Sequence, residues 1–83
     1  MQVDEKLKLN GGIIKIIAGN SAKTLYGEYR TLKECLELGK VISDKPISNV
    51  VVMHEEANKG NVYQFGGHGC AFWEHIGTLK GFA

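Results

Sequence analysis

Thr31-Leu32-Lys33-Glu34-Cys35-Leu36-Glu37-Leu38-Gly39 is the stretch that decides the architecture. Thr31 followed three residues later by Glu34 spells a capping box, in which each side chain satisfies a backbone N–H that the first helical turn leaves unpaired. Leu32, Cys35 and Leu36 recur at helical spacing on one face, while Lys33, Glu34 and Glu37 point elsewhere. Gly39 suits the left-handed residue that closes a helix, and Lys40 complements the helix's negative end. A helix of about two turns is not stable alone in water. It has to lie on a sheet supplied by the rest of the chain.

Upstream of the helix, Glu5 to Leu9 alternates charged and apolar residues and reads as a short strand. Asn10-Gly11 reads as a hairpin turn, because both residues tolerate positive φ. Ile13 to Ala18 is β-branched and apolar on both faces, as expected of a central strand. After a turn at Gly19-Asn20-Ser21, Thr24 to Arg30 reads as a third strand with a bulge at Gly27.

Downstream, Pro46 marks a turn at 43–46 and Asn49 to Glu55 reads as a buried strand. Asn58 to Asn61 is expected as a tight loop, with Val62 to Phe65 returning from it. Gly66-Gly67-His68-Gly69 breaks regular structure. In the tail from Cys70 to Ala83, Phe72, Ile76 and Leu79 fit a short amphipathic helix. The expected fold is α+β: an antiparallel sheet of four to five strands with one helix packed on a face, in the order β-β-β-α-β-β, plus a C-terminal aromatic segment. Residues 1–83 form a single domain without a linker.

Composition narrows the function classes. An apolar fraction of 43% with 23% charged residues is ordinary for a globular domain. A formal net charge of +1 supplies no global attraction to nucleic acid or to an anionic membrane. Lys15 interrupts the most hydrophobic stretch, well short of a membrane span. Residues Met1 to Lys8 mix acids and bases, unlike a secretory signal, so a cytoplasmic location is expected. Two cysteines far apart in the chain read as reduced thiols in that compartment, rather than as a disulfide.

Three groups of residues carry chemical potential. His68, Cys70 and His75 bring thiolate and imidazole together in a Gly-rich segment, a donor set suited to Zn²⁺ or to a reactive thiol. Their spacing fits no established zinc pattern, so a small buried cysteine and surface histidines weigh more, and no cofactor is expected. Lys23, Tyr26, Tyr29 and Arg30 combine aromatic faces with positive charge, as sheets that bind nucleic acid do. Tyr26 and Tyr29 are three positions apart and face opposite sides of a regular strand, which weighs against that use. His54-Glu55-Glu56 reads as solvated charge beside a turn.

The third group is Phe72, Trp73, Ile76, Leu79 and Phe82, expected to complete the core or to form an interface. One short helix covers one side of a sheet, yet the strands are apolar on both. The tail or a second subunit must cover the other side. The leading expectation is a non-enzymatic binding or assembly protein acting as a homo-oligomer, a dimer foremost, with a protein partner also open. A metal- or thiol-dependent site and a sheet-based nucleic-acid binder are the alternatives.

Overall fold

The computed structural model describes residues 2–43, 50–56, 59–66 and 71–79. In chain order the elements are β1 (Gln2–Val3), β2 (Lys8–Asn10), β3 (Ile13–Ala18), β4 (Ser21–Tyr26), β5 (Tyr29–Thr31), α1 (Leu32–Ile42), β6 (Val50–Glu56), β7 (Lys59–Phe65) and β8 (Trp73–Leu79). The main sheet runs β1-β8-β7-β6-β3-β4, and β2 pairs with β5 in a second, small sheet. Every pairing is antiparallel. The fold is the expected α+β arrangement, one helix packed on one face of an antiparallel sheet.

The first half of the chain is one long bent hairpin. Ala18 pairs with Ser21 across Gly19-Asn20, and the register from there to Ile13 and Tyr26 continues unchanged to Asn10 with Tyr29 and Lys8 with Thr31. The interruption falls at Gly11-Gly12 on one arm and Gly27-Glu28 on the other, where the Gly27 N–H donates to the Gly12 carbonyl at 2.8 Å. Asn10-Gly11 is therefore a kink in one arm and not the hairpin turn its composition suggested. Gly11, Gly12 and Gly27 all have φ between 63° and 71°, which lets both arms bend at the same level. The expected third strand, Thr24 to Arg30, is divided by the same bend into β4 and β5.

Helix α1 opens as its sequence dictates. Thr31 Oγ1 accepts from the Glu34 N–H at 3.1 Å, and Glu34 Oε1 accepts from the Thr31 N–H at 3.3 Å. The Leu32 and Lys33 N–H groups donate to the carbonyls of Leu7 and Glu5 at 3.2 and 2.9 Å. All four donors that a helix start leaves unpaired are thus taken within the chain. The helix continues past Gly39 to Ile42, a turn beyond the expected end. Gly39 serves packing: a Cβ there would stand 2.9 Å from Val50 Cγ2 and 3.6 Å from Ala18 Cβ. Its bare backbone lets the helix approach β3 and β6 closely, and the Ser43 N–H closes the helix on the Gly39 carbonyl.

The core lies on the helix side of the main sheet. Ile14, Ile16, Val50, Val52, Tyr63 and Trp73 from the sheet pack with Leu32, Cys35 and Leu36 from α1 and Leu9 from β2. The tail forms β8 rather than the amphipathic helix its spacing suggested. The period-2 alternation of Trp73 and His75 against Glu74, combined with a free strand edge on β7, outweighs one helical match. Trp73 is fully buried and its ring meets that of Phe65 at a tilt, with centroids 5.3 Å apart. Truncating a tryptophan so placed costs about 3–5 kcal/mol, so this end of the chain belongs to the core.

Candidate functional site: the open face of the main sheet

Alternation along the strands separates two faces. On the helix side stand Ile14, Ile16 and Ala18 of β3 and Val50, Val52 and His54 of β6, all buried. Opposite them, Ile13, Ile17, Val51 and Met53 are half-buried and Lys15 is exposed. The registers carry this second face across the sheet in three rows. Ile17, Val51, Gln64 and Glu74 form one; Lys15, Met53, Val62 and Gly77 the next; Ile13, Glu55 and Gly60 the third. Helix α1 and strand β2 contribute their buried residues to the core on the first side. On the second side Ile13, Ile17, Val51 and Met53 are half-buried and Val62 is buried, and neither α1 nor β2 packs there.

A bulge shapes one part of this face. Tyr63 pairs with His75 and Val62 with Gly77, so Ile76 is the extra residue on β8. It is 46% exposed. Val62, Ile76, Gly77 and Thr78 line a shallow hollow of about 260 Å³. Nothing lies within 4 Å of where a Cβ on Gly77 would stand. Three charged side chains punctuate the face: Lys15 in the middle row of β3, Glu55 on β6 and Glu74 on β8.

On the core side of β6 stands a buried histidine. His54 is 1% exposed, and its Nε2–H donates to the Gly11 carbonyl at 2.9 Å, which assigns the Nε2-protonated tautomer. This corrects the expectation that His54 belongs to a solvated acidic cluster: Glu55, its neighbour, faces the open side while His54 faces the core. Alternation along a strand that long was the available signal, masked by the adjacent acids.

The residues singled out from sequence are described only in part. His68, Cys70 and Phe82 lie outside the described residues. His75 sits on β8 with its ring 5.3 Å from that of Tyr63. Among the described residues, no three His, Cys, Asp or Glu side chains converge on a metal position. Cys35 is a free thiol, fully buried against the sheet, and burial pushes it up to about 11, with Arg30 pulling down and Glu34 pushing up more weakly. A thiol so protonated at neutral pH is a core residue and no nucleophile.

Lys23 and Tyr26 occupy β4 but project from opposite faces, Lys23 in register with Ile16 and Tyr26 with Ile13. Tyr29 and Arg30 belong to β5 in the other sheet. Lys8 Nζ lies 5.3 Å above the Tyr29 ring, and the Arg30 guanidinium is engaged by Glu28 and Glu34. The four therefore share no common surface. Of the tail residues, Trp73 is in the core, Phe72 is half-buried, Ile76 stands on the bulge, and Leu79 closes β8.

A second concavity, about 550 Å³, lies between the N-terminal turn and the helix start, lined by Val3, Asp4, Glu5, Lys6, Lys33 and Phe72. Two acids and two lysines balance there, and the helix donors beside it are already occupied by Leu7, Glu5 and Thr31. It lacks the convergent unpaired donors of an anion site. No helix among the described residues is long and apolar enough to cross a membrane. Compared with known proteins, the chain finds no counterpart: no family model, no curated protein and no solved structure matches it.

Proposed function

We propose that this chain is a small, non-enzymatic binding and assembly protein that works as a homo-oligomer through the open face of its main sheet. One observation carries this: Ile13, Ile17, Val51 and Met53 form a contiguous, half-buried aliphatic patch on the side of the sheet away from the core cluster. Apolar surface of that extent marks an association site on a folded domain. Trp73–Leu79, the part of the tail that the structure describes, is a sheet strand. A cytoplasmic location belongs to the same proposal, supported by Cys35 as a free thiol.

Sedimentation equilibrium from about 1 μM to 1 mM tests the proposal. Wild type self-associates in that range, and Met53→Glu, which places a carboxylate in the middle of the face, shifts it to monomer with an unchanged circular dichroism spectrum. A wild type that stays monomeric throughout, or a Met53→Glu variant that assembles as wild type does, refutes it.

A further inference from the structure

We infer that two copies of this chain join edge to edge along β4, antiparallel, with the two-fold axis between their Thr24 residues, so that Ile13, Ile17, Val51 and Met53 of both copies form one continuous patch. This rests on the open face being the association surface, and it supplies the area that the face of one copy lacks. Ile13, Ile17, Val51 and Met53 lie on two strands, and the exposed Ala22 and Tyr26 extend their rows onto β4. Three strands of about five residues, at roughly 3.3 Å per residue and 4.8 Å per strand, give a flat footprint of about 240 Å². Two such faces reach about 480 Å², under half of the roughly 1,000 Å² of a specific interface. A patch doubled across two copies and closed against a second doubled patch comes to about 950 Å² at the same spacings.

Strand β4 ends the main sheet, and Ala22, Lys23, Thr24 and Tyr26 are exposed along it, Tyr26 at 70%. The bond from the Gly27 N–H to the Gly12 carbonyl fixes the phase of the β3–β4 ladder. Gly12 with Gly27 is a hydrogen-bonded pair, so by alternation Ile14 with Leu25 and Ile16 with Lys23 are too. Ala22, Thr24 and Tyr26 therefore turn their N–H and C=O groups away from β3, and among the described residues no backbone group receives them. The strand has no proline or bulge that would block a partner.

Charge and size select the register. Outward groups must meet outward groups, which leaves two long two-fold registers. An axis through residue 23 sets Lys23 directly against Lys23, which repels, and leaves Tyr26 without a partner. An axis through Thr24 sets Lys23 beside Leu25, Thr24 against Thr24, and the bulky Tyr26 beside the small Ala22 of the other copy. All three outward residues are then paired. The open face runs unbroken from Ile13 and Tyr26 of one copy to Ala22 and Ile17 of the other. Lys15, next to Thr24 in the middle row, has Glu55 on the diagonal of β6. That diagonal is within reach of a long side chain, so the lysine has a counter-charge when the patch is covered.

Thr24→Pro tests the pairing. It removes an N–H that the fold itself does not use, at an edge position where proline is tolerated. Wild type at about 1 mM is expected to sediment as four copies, and Thr24→Pro to assemble about tenfold more weakly or worse, with an unchanged circular dichroism spectrum. Amide exchange in wild type is a second reading that needs no variant at β4. In the assembly the amides of Ala22, Thr24 and Tyr26 slow by about tenfold or more relative to the Met53→Glu monomer, while those of Lys23 and Leu25, bonded to β3, are slow in both. If Thr24→Pro assembles as wild type does, or if those three amides exchange as fast in the assembly as in the monomer, the pairing is overturned while open-face association stands. A wild type that stays monomeric at about 1 mM overturns both and leaves the edge to a strand of another protein.

Discussion

Replacing Gly12 by alanine should be far more damaging than replacing Gly11, although the two are neighbours with nearly the same backbone conformation, φ 71° and 67°. Both positions are left-handed, which costs an alanine about 1–2 kcal/mol. At Gly11 that is the whole cost, because nothing lies within 4 Å of the new methyl. Reduced freedom of the unfolded chain returns roughly 0.5 kcal/mol, so Gly11→Ala should lose about 1 kcal/mol. At Gly12 the methyl would stand 1.9 Å from the Glu55 carbonyl oxygen and 3.1 Å from its carbon, against an ordinary C···O contact of about 3.3 Å. Both atoms are backbone, so β3 must lift from β6 at the bend. That movement strains the 2.9 Å bond from His54 to the Gly11 carbonyl. Leaving a buried group unpaired costs about 1–3 kcal/mol, bringing the loss, after the same return from the unfolded chain, to roughly 1.5–4.5 kcal/mol. A domain of this length has about 4–12 kcal/mol of stability in total, so Gly12→Ala should lose a large part of it at 25 °C. Urea denaturation of the three proteins, read by Trp73 fluorescence, measures the difference. Equal losses within about 1 kcal/mol would show that the bend is not held against β6.

The remaining predictions concern the helix. Thr31→Ala removes the acceptor for the Glu34 N–H while leaving the reciprocal bond from Thr31 N–H to Glu34; a loss of about 1 kcal/mol is expected in chemical denaturation, and no loss would remove the capping box from the account of α1. Because burial holds the Cys35 thiol at about 11, above the roughly 8.5 of an unfolded chain, the folded state favours its neutral form. Its contribution is complete below about pH 8.5 and is lost as pH climbs to about 11, at up to ~1.4 kcal/mol per pH unit. Tyr63, raised by burial and then by Glu56, adds a loss of the same sign at high pH. Stability curves of wild type and Cys35→Ala between pH 8 and 11 should diverge, the variant falling less steeply; parallel curves would contradict the linkage.

The order of legibility follows the range of the interactions. The capping box at Thr31 and Glu34, the aliphatic strands Ile13–Ala18 and Val50–Glu56, and the surplus of apolar surface on them are written in local pattern. A helix with one buried stripe on strands with two apolar faces already implies an open side. Asn10-Gly11 misleads because a hairpin and a kinked arm need the same left-handed backbone, and the choice lies with distant partners, Tyr29 for Asn10 and Thr31 for Lys8. Gly39 misleads for the same reason, since its use is decided by Val50. His54 looked solvated because its acidic neighbours dominate a local window, whereas the strand's alternation hides it.

From sequence alone came the helix start, the fold class and the imbalance of aliphatic surface, because each depends on residues within a few positions of one another. Tertiary structure alone placed Trp73 in the core, sent the tail into the sheet edge, and set Lys15, Glu55, Glu74 and the hollow at Gly77 on one face. Strand order and register bring together residues as far apart as Gln2 and Glu74, and no local propensity encodes which edge a distant strand will join.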